Sequence, residues 1–258
     1  MVLPKPVLIF PKAWKRKRYL LLLFSSWLFV LNLIAQNPRA DSIMKLIRNH
    51  PQQDTALANL MFSYVGAIYP GDFDSVVKYN RLVYDLSRTL KYRKGIMRGL
   101  NGLAMVEWTK SNMDEALGLY LQAYALAKEL EDKEYQAKYL GNIGLLFKSM
   151  GMFDSARKYL YKGIETASAI RNKHLNARFN VDLGSIYSLE SDYPNALKNF
   201  YKALRIFEEE QSDFDIVTTH IQIGNCYNRM KDFRNADKAY RTARVYNENK
   251  VGNRRIDL

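Results

Sequence analysis

Residues 141–163 read GNIGLLFKSMGMFDSARKYLYKG, and the reading of this stretch decides the fold. Ile143, Leu146, Phe147 and Met150 recur at the spacing of one helix face, and Gly151 then breaks the pattern. Asp154 is placed to cap a second helix that runs to about Ile170. The stretch therefore predicts two helices joined by a tight turn. One such hairpin cannot bury its apolar face alone, so copies of it must stack.

Copies are present. Shifting the chain against itself by 40 residues aligns a column of Tyr64, Ala104, Gly144, Gly184 and Gly224. A second column holds Val76, Ala116, Ala156, Ala196 and Ala236, and a third Val83, Ala123, Gly163, Ala203 and Ala243. A bulky column, Phe73, Met113, Phe153, Tyr193 and Phe233, opens each second helix. Short side chains let antiparallel helices approach closely, and the bulky residue covers the end of that contact. The spacing predicts almost pure helix from about residue 54 to 249.

These columns carry a family resemblance. Gly144, Ala156 and Gly163, with their equivalents Gly184, Ala196, Ala203 and Gly224, Ala236, Ala243, resemble the tetratricopeptide repeat. The usual period of that family is about 34 residues; here it is 40, similar to the long-helix variety of kinesin light chains and Leu-Gly-Asn-type scaffolds. The resemblance implies an all-α, right-handed α-solenoid of about five helix-turn-helix units over residues 54–250, with first helices lining a concave face. The unit holding Tyr64 and Val76 departs from the pattern, as terminal units do.

Composition agrees with helices that pack rather than bind nucleic acid. The net charge of +13 includes six basic residues within residues 1–35, where no acid occurs; the rest carries 33 basic against 26 acidic groups, interspersed as on solvated helix faces. The single cysteine, Cys226, excludes an intrachain disulfide and a cysteine metal cluster.

The N-terminus reads as an export signal. Lys15-Arg16-Lys17-Arg18 is followed by an apolar stretch from Tyr19 to Ala35 and then Gln36. A cleaved signal and an uncleaved anchor both carry the following chain across the membrane. Residues 36–53 form a linker with a short helix, Asp41–Arg48, and residues 251–258 a tail. This layout is similar to the exported sensor region of bacterial membrane-bound histidine kinases and regulators, in which a transmembrane helix and an output module follow the repeats. Here the sequence ends at Leu258 without them, so a stand-alone binder and a sensor input region are the two readings.

Catalytic and cofactor signatures are lacking. His50, His174 and His220 have no ligand or acid at metalloprotease spacing, which predicts no metal site. Gly99/Gly102 and Gly141/Gly144 lie within helical periodicity with no preceding strand, so packing accounts for them. Glu208–Glu210 points in several directions around a helix end. The expected protein is not an enzyme and needs no cofactor.

Function is expected on the concave face, with a protein or peptide partner. Arg98, Lys138 and Arg178 recur every 40 residues and predict a basic ladder for an acidic ligand. Asn101, Asn142, Asp182, Gln222 and Asn225 form a polar set; amides there can pair with both N–H and C=O of an extended backbone. Met105, Trp108 and Leu145, with Ile68, make the early end apolar, whereas Ser185, Ser188, Asn225 and Asn228 make the late end polar. Helix Asp41–Arg48 is an alternative cover for the apolar end.

Overall fold

The computed structural model describes residues 37–69 and 71–248, which form eleven helices and no strand. The export signal read in residues 1–35 and the tail at 251–258 lie outside the described residues. A short helix α1 (Pro38–Arg48) leads into five hairpins: α2 (Thr55–Ile68) with α3 (Phe73–Thr89), α4 (Arg93–Thr109) with α5 (Met113–Glu129), α6 (Lys133–Ser149) with α7 (Phe153–Ala169), α8 (Lys173–Leu189) with α9 (Tyr193–Glu209), and α10 (Asp213–Arg229) with α11 (Phe233–Tyr246). None of these helices is long and apolar enough to cross a membrane.

The long period has a simple origin. Each helix from α3 to α10 has 17 residues. Every turn then spends one residue in the left-handed region, at Lys91, Ser111, Glu131, Gly151, Arg171, Ser191, Gln211 and Lys231. The following residue returns its N–H to the helix just ended, as in Tyr92 to Ser87 at 2.8 Å and Met152 to Phe147 at 2.9 Å. These bonds satisfy terminal carbonyls that the helix leaves open. The next helix starts at once, often with a side-chain cap: Asp72, Asp132, Asn172, Asp192 and Asp232 each accept the N–H three residues on.

Asp154 does not follow that expectation. Helix α7 begins at Phe153, Met152 holds the cap position, and no side chain caps it. Asp154 falls past the cap, within the first turn, and pairs with Arg157, which also reaches Glu190. The N-terminal helix likewise starts at Pro38 rather than Asp41, because Asn37 accepts the N–H of Ala40 and caps it there.

The small columns face a large one. A Cβ built on Gly144 would lie 2.9 Å from Leu160, on Gly184 2.7 Å from Phe200, and on Gly224 2.5 Å from Tyr240. Leu160 and Phe200 are fully buried by that fit, each gaining about 2–3 kcal/mol from burial. In the first unit the sizes are exchanged: Tyr64 occupies the small column and Asn80 the large one. Tyr64 meets Tyr79 edge-on, with ring centroids 4.7 Å apart.

Helix α1 docks on this first hairpin. Asn37 donates to the Ala67 carbonyl at 2.6 Å, and the Tyr79 hydroxyl points to Met44 sulfur at 3.7 Å. First helices also touch one another directly, α2 with α4, α6 with α8, and α8 with α10, whereas second helices do not approach each other to that extent. The row α2–α4–α6–α8–α10 is therefore the inner, concave side of the α-solenoid.

Candidate functional site: the inner face

The early part of the inner face is occupied by its own side chains. Arg98 of α4 donates through Nη1 to Asn59 Oδ1 at 2.8 Å and through Nε to the Tyr135 hydroxyl at 2.9 Å. Its guanidinium also lies 5.0 Å from the Phe62 ring and 5.5 Å from that of Tyr135. It thus ties α2, α4 and α6 together and is not a free rung of a basic ladder. Lys138, also exposed, pairs with Glu134 at 2.5 Å on its own helix, which leaves Arg178 as the exposed member of the column without an ion pair among the described residues.

The expected apolar anchor is also largely committed to packing. Trp108 is half-buried against the core of Ala104, Ala116, Tyr120, Ile143 and Leu146. Met105 packs with Val65, Val76 and Val106, in a different cluster. Leu145 lies apart from both, in the wall of a small cavity beside Asp182. The sequence columns put these three side chains together, but helix α4 turns Met105 back to the first hairpin and Trp108 forward to the next. Helix α1 contacts α2 and α3 rather than this region.

From α6 onward the inner face is polar and more open. Asn142 donates to Asn101 Oδ1 at 2.7 Å, joining α6 to α4. Asn142, Lys138, Arg178 and Asp182 surround a cavity of about 60 Å³ whose walls include Leu145, Leu175 and Phe179. Asp182 is partly buried there, and burial pushes its carboxyl up to about 6; Lys148 and Arg178 pull the other way.

A larger pocket of about 350 Å³ lies one unit further on, between α6, α8 and α10. Lys148 and Arg229 flank it, and Ser185, Ser188, Gln222, Asn225 and Asn228 supply polar lining. Tyr240 donates its hydroxyl to Asn225 Oδ1 at 2.8 Å, which orients that amide and directs its N–H₂ away from α11. Neither Lys148 nor Arg229 is in an ion pair among the described residues. Gln222 and Asn225 were legible from the columns. Arg229 was not, because its column otherwise holds Tyr69, Thr109, Ser149 and Leu189 and shows no charge pattern.

Elsewhere the chemistry is structural. No group of three His, Cys, Asp or Glu side chains suited to a metal occurs among the described residues. Cys226 is fully buried, and burial raises its thiol pKa, so it is a packed side chain rather than an activated nucleophile. His174 meets Glu210 at 2.9 Å and Asp215 at 3.4 Å, bridging α8 to the turn that leads into α10.

Known proteins agree with this architecture. The chain is similar to the crystal structure of BtubC (BKLC) from P. vanneervenii, 20% identical with a TM-score of 0.62, over 83% of this chain and 89% of that one. It is similar to apo RapI at 13% identity and a TM-score of 0.65, over 81% and 76% of the two chains. It is also similar to the Rap conjugation gene regulator of plasmid pLS20, solved in complex with the Phr* peptide. That match has 18% identity and a TM-score of 0.64, over 81% of this chain and 57% of that one. At these identities the likeness is one of fold. No curated protein matches the chain. The model of the tetratricopeptide repeat matches residues 95–169 and 176–244, more than half of the sequence. With its period, its small columns and its stacked hairpins accounted for, the chain belongs to the tetratricopeptide repeat family.

Proposed function

We propose that this protein is an exported scaffold that holds an extended peptide or protein segment along α6, α8 and α10. The observation that carries this reading is the pocket of about 350 Å³ in which two uncommitted cations, Lys148 and Arg229, flank a floor of amides and hydroxyls. Amides offer donors and an acceptor to a peptide backbone, and the cations favour an acidic side chain beside it. The fold relative from plasmid pLS20 was solved with a peptide, which supports the same use of the fold here. No step of a reaction is assigned to any residue. The export signal of residues 15–35 supports an extracytoplasmic setting, where the same groove serves equally a stand-alone binder or the input region of a sensor.

The test is a selection of phage-displayed random dodecapeptides against the full chain, followed by titration calorimetry of the strongest binder. Peptides bearing Asp or Glu are expected, with affinity lowered about tenfold or more, equivalent to 1.4 kcal/mol, in Arg229→Gln and in Asn225→Ala. Binders indifferent to both substitutions overturn the groove assignment. Export is tested by a periplasmic reporter fused after Leu258, which is expected to be active outside the cytoplasm; activity only inside overturns that part.

A further inference from the structure

The two ends of the array are finished differently. At the first, helix α1 lies against α2, with Ala40 buried and Asn37 tied to the Ala67 carbonyl, so the first hairpin is covered. At the other, α10 and α11 leave large apolar side chains open to solvent: Phe214 is 69% exposed, Phe233 65%, Ile221 40% and Tyr240 36%. These positions are not scattered. Val181 and Tyr193, one period before Ile221 and Phe233, pack against the cluster that holds Ile216 and Ile223 of the following hairpin. Phe153, in the same column as Phe233, packs likewise against the cluster of Leu183 and Ile186. Phe200, one period before Tyr240, is fully buried. His174, one period before Phe214, reaches Asp215 of the next hairpin at 3.4 Å.

The exposed side chains thus occupy the columns through which each earlier hairpin holds its successor. An apolar face left open there is an interface lacking its partner. Two candidate partners fit poorly. A further hairpin stacked in the usual register would lie over Arg244 and Asn247, which stand where α9 has the buried Leu204 and Phe207. It would bury a guanidinium that now pairs at the surface with Glu248 at 4.0 Å, a costly exchange. A head-to-tail contact with another copy would need the first hairpin open, and α1 already covers it.

The partner that satisfies both constraints is the same end of a second copy. We infer that two copies of this chain associate through their open ends, α10 and α11 of one against α10 and α11 of the other, about a two-fold axis. A two-fold contact uses one patch twice and closes at two chains, so it does not propagate into a filament. It covers Phe214, Ile221, Phe233 and Tyr240 without the register of a stacked hairpin, and Arg244 keeps its charge at the rim on its long apolar stem. The contact does not depend on peptide binding in the groove.

The experiment is analytical ultracentrifugation of the full chain over about 1 to 200 μM, a span that reaches the weak end of specific interfaces. The wild type is expected to pass from the mass of one chain to that of two and to level off there. Phe214→Asp and Ile221→Asp are each expected to raise the dimer dissociation constant about tenfold or more, because each sets two like charges inside the contact. Both side chains are exposed, so the fold is expected to persist, which circular dichroism checks. Leu121→Asp, an equally exposed apolar position on the outer helix α5, is expected to dimerise as the wild type does. All variants carry the same N-terminus, so any association through it is common to them. A wild type that stays monomeric throughout overturns the inference and leaves the face to residues 249–258 or to a different protein. A dimer that survives both Phe214→Asp and Ile221→Asp places the contact elsewhere and also overturns it, as does a mass that keeps rising beyond two chains.

Discussion

Arg98 reaches back across 39 residues to donate to Asn59 at 2.8 Å, so that one guanidinium on α4 fastens the inner side of the first hairpin to the second. Its second bond, to Tyr135, continues the tie into the third. Hydrogen bonds from a charged donor contribute about 1.5–3 kcal/mol each when buried and less where the pair is partly exposed, as here, and a cation over an aromatic face about 0.5–1 kcal/mol. Arg98→Ala is therefore expected to lower unfolding stability by about 1–3 kcal/mol. Arg98→Lys should not recover it, because an ammonium lacks the planar fork that serves Asn59 and Tyr135 together. Urea unfolding checks this; a variant of unchanged stability whose peptide binding collapses would return Arg98 to the ligand site.

Trp108 is expected to behave as a packing residue. With its indole half-buried against Ala104, Tyr120 and Ile143, Trp108→Ala should cost about 2–3 kcal/mol, below the range for a fully buried ring, and Trp108→Phe much less. Thermal unfolding followed by circular dichroism distinguishes this from a residue whose loss changes binding alone.

The turns make a paired prediction. Gly151 has φ of +73°, where a β-branched residue is strained, and Gly151→Val should cost about 1–2 kcal/mol. Glu131 adopts φ of 55° at the equivalent place without being glycine. Glu131→Gly removes that steric cost but loosens the unfolded chain, so stability should stay level or rise by up to about 1 kcal/mol. Loss of stability on that change would mean that the Glu131 side chain contributes something beyond its backbone conformation.

Those turns also explain what sequence reading reached and what it missed. The repeat was legible because Gly144, Gly184, Gly224 and the alanine columns keep their identity at a fixed period, close helix approach admitting little else. The column they face was not, since Tyr120, Leu160, Phe200 and Tyr240 share size but not chemistry. Seven of the eight left-handed turn positions carry no glycine, so helix ends such as that before Asp132 had no local marker; Asp154 was misplaced as a cap although Gly151 marks its turn, because Met152 at the true cap position has no capping side chain. On the inner face, Arg98, Lys138 and Arg178 look alike as a column. Their environments differ because Asn59, Phe62 and Tyr135, which hold Arg98, come from other columns and other units. Asp182 was placed by its column, but its isolation from partners is visible only in three dimensions.

Stability should fall as Asp182 ionises. Its folded-state carboxyl titrates near 6, above the unfolded value of about 3.9, so the folded protein binds more protons in that interval and stability decreases as pH rises through it. Asp182→Asn is accordingly expected to raise the melting temperature at pH 7.5 and to leave it unchanged at pH 4. Equal shifts at both values would assign the effect to packing instead of charge.

The central claim is that a partner segment lies on the inner face along α6, α8 and α10. Site-specific photo-crosslinking tests it most directly, with benzoylphenylalanine placed at Gln222 on the inner side of α10 or at Lys202, exposed on the second helix α9. The account predicts that the selected acidic peptide crosslinks from position 222, that unlabelled peptide competes it away, and that position 202 gives no product. Crosslinking from position 202 with none from position 222 would place the partner on the outer surface and contradict the account.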